Sequence, residues 1–307
     1  VLSSKSNTKP RPNPKAKPKK RTLAFDAIGT SWQIDLPLTL AEDEFNQLND
    51  NIKYIINQFD KTYSRFRADS LVSKMAQKAD TYELPKDAKP MLELYYSLYD
   101  ISRGQVTPLI GQLMSDAGYD SEYSLLPKEL RQVPNWNETI MLDWPEVTIQ
   151  QPILLDFGAI GKGYLVDLVA ELLVGQNVDN FLVNAGGDMI DHQTNKKPRR
   201  IGLEHPNRSD EVVGVAYLEN SSLCGSAGNR RAWQGFNHIM NPKTRAPMTN
   251  LLSVWAMADT TMLADAMTTA LYFVEPATLK QAYEFEYAFI RPDYSLEYSP
   301  GFKADFF

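Results

Sequence analysis

The stretch Ile153–His192, ILLDFGAIGKGYLVDLVAELLVGQNVDNFLVNAGGDMIDH, decides the fold class. Its opening, Ile153–Phe157, is a short apolar run that predicts a strand. A glycine cluster follows, and Leu165, Leu168, Val169, Leu172 and Leu173 then recur at the spacing of one buried helix face. Regular alternation of such units would give a parallel sheet. Instead the chain turns at Asn180 to short β runs: Phe181–Asn184, Arg200–Glu204, Val212–Leu218, Leu223–Ser226, His238–Met240 and Leu252–Met257. Strands in clusters with helices packed against them predict α+β, with mixed or antiparallel sheets.

Upstream, a strand is expected over Leu23–Leu36. Thr39-x-x-Glu42 has the form of a capping box, and Phe45, Leu48, Ile52, Ile55, Ile56 and Phe59 continue at helical spacing. Met91, Leu94, Tyr95, Leu98 and Ile101 make a second amphipathic helix ended by Gly104. Residues 115–150 are polar, rich in Pro and Trp, and read as irregular. Downstream come a helix over Leu263–Tyr272, a short helix near Ala277–Phe285 and a strand around Tyr287–Arg291.

The 307 residues are 43% hydrophobic and 23% charged, enough for a large core. No apolar run approaches the roughly 18–20 residues of a membrane span. The net charge of −6 is uneven: residues 1–21 hold eight Lys or Arg and no acid, leaving 24 basic against 38 acidic residues, or −14. An acidic body argues against nucleic acid as a partner. Residues 1–22 read as a disordered Pro/Lys-rich tail and residues 23–307 as the folded domain. The tail is either solubilising or a tether across anionic lipid headgroups to an anchor ahead of Val1. The single Cys224 excludes an internal disulfide, and three histidines without a Cys-x-x-Cys disfavour structural zinc.

The candidate chemistry lies in several clusters. On the apolar helix LADAMTTALY, Asp265, Thr268 and Thr269 share one stripe with Thr261. A carboxylate on so apolar a helix needs a partner, and oxygen donors around it suit magnesium. Gly158-x-x-Gly161-x-Gly163 departs from the dinucleotide fingerprint, and Gly163 stands where a P-loop has Ser or Thr. It is either a tight strand–helix turn or a phosphate site at a helix N-terminus. Asn184-Ala-Gly186-Gly187-Asp188 is either a hairpin turn or a place where backbone approaches a flat ligand. His238-Ile-Met-Asn241-Pro242 offers either a structural histidine or a proton carrier. Ser64–Ser70 holds two arginines that either bind an anion or face solvent. No Gly-x-Ser-x-Gly elbow is present, which disfavours acyl transfer.

Taken in order, these pieces resemble the ApbE-type flavin transferase family, the FAD:protein FMN transferases. Ala27-Ile28-Gly29-Thr30 looks like the family's M-G-T element. Ser64–Ser70, Gly104-Gln-Val-Thr107-Pro-Leu109 and Gly118-Tyr119-Asp120 follow in family order. Asp156-Phe-Gly-Ala-Ile-Gly-Lys-Gly-Tyr-x-x-Asp167 is similar to D-L-G-G-I-A-K-G-Y-x-x-D, Asn184–Asp188 to N-x-G-G-D, His238–Pro242 to H-I-x-D-P, and Ala264–Leu271 to A-D-A-L-A-T-A-L.

The resemblance implies a T-fold-like α+β architecture and an enzyme that cleaves the FAD pyrophosphate. FMN passes to a threonine of a partner flavoprotein and AMP is released; some members instead hydrolyse FAD to FMN and AMP. It implies magnesium held by the Gly161 carbonyl, Asp265 and Thr269, with the Thr268 carbonyl as a further ligand. A glycine turn free of the helix ladder would present the Gly161 carbonyl. Lys162 would hold phosphates, Asp156 and Asp167 ribose hydroxyls or ring edges, and Gly186 and Gly187 a flat ligand. Ile28, Phe66, Thr107 and Ile239 would line the flavin or adenine pocket, and His238 would exchange the acceptor proton. Asn241 replaces the usual Asp, Arg245 the usual Gly, and Ser226–Asn229 lacks an aromatic. These departures keep an FAD pyrophosphatase and a non-catalytic FAD-binding protein as alternatives. Family habit and the basic tail predict an extracytoplasmic location, anchored to the cytoplasmic membrane.

Overall fold

The computed structural model describes residues 20–194 and 197–307, so the expected tail falls outside the described residues up to position 19. Eight strands form one sheet: β1 (Arg21–Ala27), β2 (Thr30–Leu36), β3 (Phe181–Ala185), β4 (Asp188–His192), β5 (Ser222–Ala227), β6 (Ser253–Ala258), β7 (Glu286–Ile290) and β8 (Leu296–Tyr298). They lie side by side in chain order, every neighbouring pair antiparallel. The single strand expected over Leu23–Leu36 is a hairpin, folded at Ile28 and Gly29 with φ of +45° and +73°. Two left-handed residues in a two-residue loop match the twist of antiparallel strands. The same device recurs at Gly186 and Gly187, with φ of +63° and +106° between β3 and β4.

Helices α1 (Glu42–Tyr63), α2 (Gly161–Gly175) and α3 (Thr261–Ala270) cover one face of this sheet. Leu48, Ile52 and Ile56 of α1 share a core with Leu165, Val169 and Leu173 of α2 and with Trp32, Ile34 and Val183 of the sheet. A three-stranded sheet of Arg199–His205, Arg208–Leu218 and Ala304–Phe306 covers the other face. Strand β6 is therefore buried along its whole length: Val254 and Ala256 join the helix side, Trp255 and Met257 the sheet side. Burial on both faces explains its unbroken apolar sequence.

Several sequence expectations shift. Helix α1 starts at Glu42 after Ala41, and Glu44 accepts the Ala41 N–H at 2.9 Å, so the expected Thr39 box is displaced and lacks its hydroxyl half. Ile153–Phe157 pairs with no strand among the described residues; Ile153 and Asp156 donate instead to the Met75 and Pro108 carbonyls. His238–Met240 makes only a Met240–Pro247 bridge. Residues 115–150 contain strands Ile140–Asp143 and Glu146–Ile149, which pair with each other, the second also with Thr81–Glu83, and are too short for a readable period. The helix Lys89–Ile101 ends as expected, with Gly104 at φ +84° returning an N–H to the Tyr99 carbonyl. Among the described residues no helix is long and apolar enough to cross a membrane.

Candidate active site

The site forms where the first turn of α2 crosses α3 beside the β3–β4 hairpin. Gly163 permits the crossing: a Cβ there would lie 2.3 Å from the Thr261 carbonyl oxygen and 2.7 Å from Asp265 Cβ. Its N–H donates to Asp265 Oδ2 at 2.9 Å. Asp167, one helical turn along, accepts the N–H groups of Thr261 and Met262, both at 2.8 Å. Thr260 caps the same end by accepting the Leu263 N–H. Asp167 thus holds the N-terminus of α3, where a carboxylate suits both the free N–H groups and the helix dipole. Both of its carboxylate oxygens are thus engaged within the protein. Burial outweighs those two bonds and raises its pKa to about 6.

The first turn of α2 decides between the two readings of the glycine cluster. Gly161 opens the helix, so its carbonyl belongs to the first turn and not to a free turn ahead of it. The Gly161 N–H donates to the Phe157 carbonyl at 2.7 Å and the Gly163 N–H to Asp265. Two of the N–H groups at this helix start are thus already occupied within the protein. Lys162 ion-pairs with Asp188 and donates to the Ala185 carbonyl at 3.4 Å. Burial opposes its charge, but Asp188 and Asp265 outweigh burial and hold its pKa above the ordinary value. Asp188 and Asp265 are both buried, 1% and 4% exposed. Burial, then the Asp188 charge, pushes the Asp265 pKa well up despite Lys162 and the Gly163 N–H.

Two buried carboxyl groups beside one ammonium disfavour the Asp265 charge, and a bound cation would favour it. Among the described residues no three His, Cys, Asp or Glu side chains gather to hold a metal. A cation here would be bound by one carboxylate with hydroxyl and carbonyl oxygens, a donor set that suits magnesium better than zinc. Thr269 lines the same cavity as Asp265. Thr268 does not: it is fully buried, donates its hydroxyl to the Asp265 carbonyl at 2.8 Å and bonds Ser226 Oγ at 2.9 Å.

Two chambers open beside this cluster. The first, about 340 Å³, is lined by Thr107, His238, Ile239, Asp265 and Thr269, and reaches Gly186. The second, about 360 Å³, is lined by Ile28, Phe59, Tyr63, Phe66, Tyr123 and Gly161. Both share a wall of Tyr119, Asp156, Gly158, Lys162 and Arg231, so the two meet at a cationic waist. Arg231 donates to the Tyr119 hydroxyl at 3.0 Å and the Gly29 carbonyl at 3.3 Å, tying three distant loops together. His238 Nδ1 is buried with no hydrogen-bond partner among the described residues. Burial first, then Arg231, lowers its pKa to about 4, so the imidazole is neutral near pH 7 and its surroundings oppose the imidazolium form.

Of the residues singled out in the sequence, the two chambers gather Ile28, Phe66, Thr107, Asp156, Gly161, Lys162, Gly186, His238, Ile239, Asp265 and Thr269. Gly187 faces a separate groove beyond Gly186, while Asp167 and Thr268 line neither chamber. Asp156 is engaged within the protein, receiving Arg65 Nε at 2.5 Å and the Gly158 N–H at 2.7 Å. The Ser64–Ser70 arginines are likewise matched. Arg65 is buried over the Phe66 ring, and Arg67 pairs with Asp60 and Asp69. Arg231, Tyr123 and Gln105 also border the chambers but were missed. No local pattern marks them, because they arrive on loops from remote segments.

The fold agrees with known proteins. A model of the ApbE family matches residues 28–289. The FAD:protein FMN transferase of Haemophilus influenzae is 26% identical over 278 residues, covering 82% of this chain and 80% of that protein. That of Vibrio cholerae is 22% identical over 272 residues, covering 81% and 80%. Among solved structures, the flavin transferase ApbE from Vibrio cholerae superposes with a TM-score of 0.75 at 20% identity, covering 92% of this chain and 96% of that one. The ApbE protein of Thermotoga maritima gives 0.77 at 20% identity, covering 92% and 97%. With most of its length matched and the motif residues converging on one pair of chambers, the chain belongs to the ApbE family.

Proposed function

We propose that this protein is a magnesium-dependent FAD:protein FMN transferase that attaches FMN to a threonine of a partner flavoprotein. The observation that carries the reading is the pair of similar chambers meeting at Lys162 and Arg231 beside Asp265 and Thr269. FAD has the matching form, two ring systems joined through a pyrophosphate. The relatives named FAD:protein FMN transferase support the same activity.

Asp265, Thr269 and the Gly161 carbonyl would hold magnesium, which when bound neutralises the pyrophosphate and polarises its phosphorus. Lys162 and Arg231 offset phosphate charge at the waist, and the walls of the chambers orient the two ring systems. His238 takes the proton of the acceptor hydroxyl. The hydroxyl oxygen bonds to the FMN phosphorus as the phosphoanhydride P–O bond breaks, and AMP leaves with the electron pair. The basic residues 1–21 suit a tether at an anionic membrane surface, which on this reading holds the enzyme outside the cytoplasm.

The test is incubation with FAD and Mg²⁺, with and without an apo-flavoprotein whose FMN is normally joined to threonine. AMP and protein-bound FMN are then followed. AMP formed only with the acceptor supports transfer. AMP formed equally without it would show an FAD pyrophosphatase, and retained FAD without AMP a binding protein.

A further inference from the structure

We infer that the acceptor polypeptide reaches the FMN phosphate along the groove between the eight-stranded sheet and the Arg199–Leu218 hairpin. The inference rests on the transferase reading and adds the surface on which the protein partner lies. This groove, about 560 Å³, is larger than either chamber and opens on the face of the sheet away from the helices. Its floor is Met189, Leu223 and Trp255; its walls are Ala24 and Gln33 on one side, Gly202 and Glu204 on the other. Gly186, Gly225, Ser226, Ala227 and Arg230 line both the groove and the first chamber, so the two are continuous across the rim of β5.

Continuity with the catalytic chamber and charge together name the occupant. The two chambers already match the two halves of FAD, which leaves the groove without a share of that molecule. Arg230 at the junction is paired with Glu204 at 2.6 Å, whereas Arg231 at the waist bonds an uncharged hydroxyl and a carbonyl, so a phosphate finds its less neutralised arginine at the waist and not in the groove. A neutral trench with an apolar floor and glycine-rich walls suits an extended polypeptide segment, which needs width and little charge. Its hydroxyl residue would cross the rim at Gly225–Ala227, whose own side chains are small. The exposed Arg230–Glu204 pair spans this junction and is weak enough for an arriving segment to displace it.

The test fills the groove without touching the chambers. Ala24 and Gln33 are exposed, face each other across β1 and β2, and line neither chamber. Ala24→Trp, with Gln33→Trp as an independent second variant, is assayed with FAD, Mg²⁺ and the threonine-bearing apo-flavoprotein. The expected result is a rise of tenfold or more in KM for the apo-flavoprotein, with KM for FAD and FAD binding unchanged. An unchanged acceptor KM in both variants overturns the groove alone. A raised KM for FAD overturns it too, by assigning the groove to the flavin. A wild-type protein that releases no acceptor-dependent AMP overturns the transferase reading, and the groove assignment with it.

Discussion

Asp265 sits on a helix and is held by the helix packed across it, whereas His238 sits in a loop held by other loops. Around Asp265, Gly163 brings α2 against α3, Asp167 caps α3, and Lys162 bridges to the β4 residue Asp188. Around His238, the ribbon Ala232–Asn237 is fastened by Trp233 Nε1 to the Ala117 carbonyl at 2.7 Å and by Asn237 Nδ2 to the Met248 carbonyl at 3.0 Å. Left-handed Gln234 and Arg245 shape the loop, at φ +42° and +57°. Two of the three departures from the expected pattern, Asn241 and Arg245, fall in this second region, while Ser226–Asn229 begins on β5, where Ser226 bonds Thr268 of α3. Asn241 does not line the chamber: its Oδ1 takes the Lys243 and Thr244 N–H groups and its Nδ2 donates to Gln105. The charge-handling end is locked by secondary structure, while the proton-handling end hangs on side-chain bonds that tolerate substitution.

The largest expected effect lies at the helical end. Asp265→Asn keeps an oxygen to accept the Gly163 N–H but removes the charge that a cation needs. Turnover with FAD and Mg²⁺ should fall to background, and any stabilisation by Mg²⁺ in thermal melts should vanish. The metal-free variant should be at least as stable as the parent, because burial and Asp188 already disfavour the charge. Persistent Mg²⁺-dependent AMP release would remove Asp265 from the mechanism and erase the contrast.

At the loop end, His238→Gln should lower transfer roughly 10²–10⁴-fold while leaving FAD binding intact. The histidine also sets a stability signature. Its pKa falls from 6.5 to about 4 on folding, so the unfolded chain takes up the proton first. The stability it contributes is present above pH 6.5 and is lost as pH falls toward 4, by up to about 1.4 kcal/mol per unit. Denaturant titrations across that window should show the loss in the parent and not in the variant. Equal slopes would mean that His238 is not buried uncharged.

The smallest effect separates capping from ligand binding. Asp167→Asn should cost about 1 kcal/mol of stability through the weakened cap of α3. Its KM for FAD should match the parent's. A raised KM with unchanged stability would restore Asp167 to the ligand and weaken the view that the helical end is a scaffold.

Much of this architecture was readable because its causes are local. Gly186 and Gly187 announce a hairpin since few other residues accept their backbone angles, and α1 shows its buried face through its spacing. Asp265 drew attention as a charge on an apolar helix, and the structure buries it as expected. The strand expected at Ile153–Phe157 failed for the converse reason. An apolar run can be buried without a neighbouring strand, and here its N–H groups bond to isolated carbonyls.

The sequence by itself determined the turns, the amphipathic helices and many of the residues that line the two chambers, since dihedral preference and periodicity act within a few residues. Only the tertiary structure decided what those residues do. Asp167 caps a helix 94 residues away, Lys162 finds its counter-charge on another strand, and Arg231 closes onto Gly29 across 202 residues. Such roles depend on which groups burial brings together and on which hydrogen bonds are already occupied. Neither follows from any window of the chain.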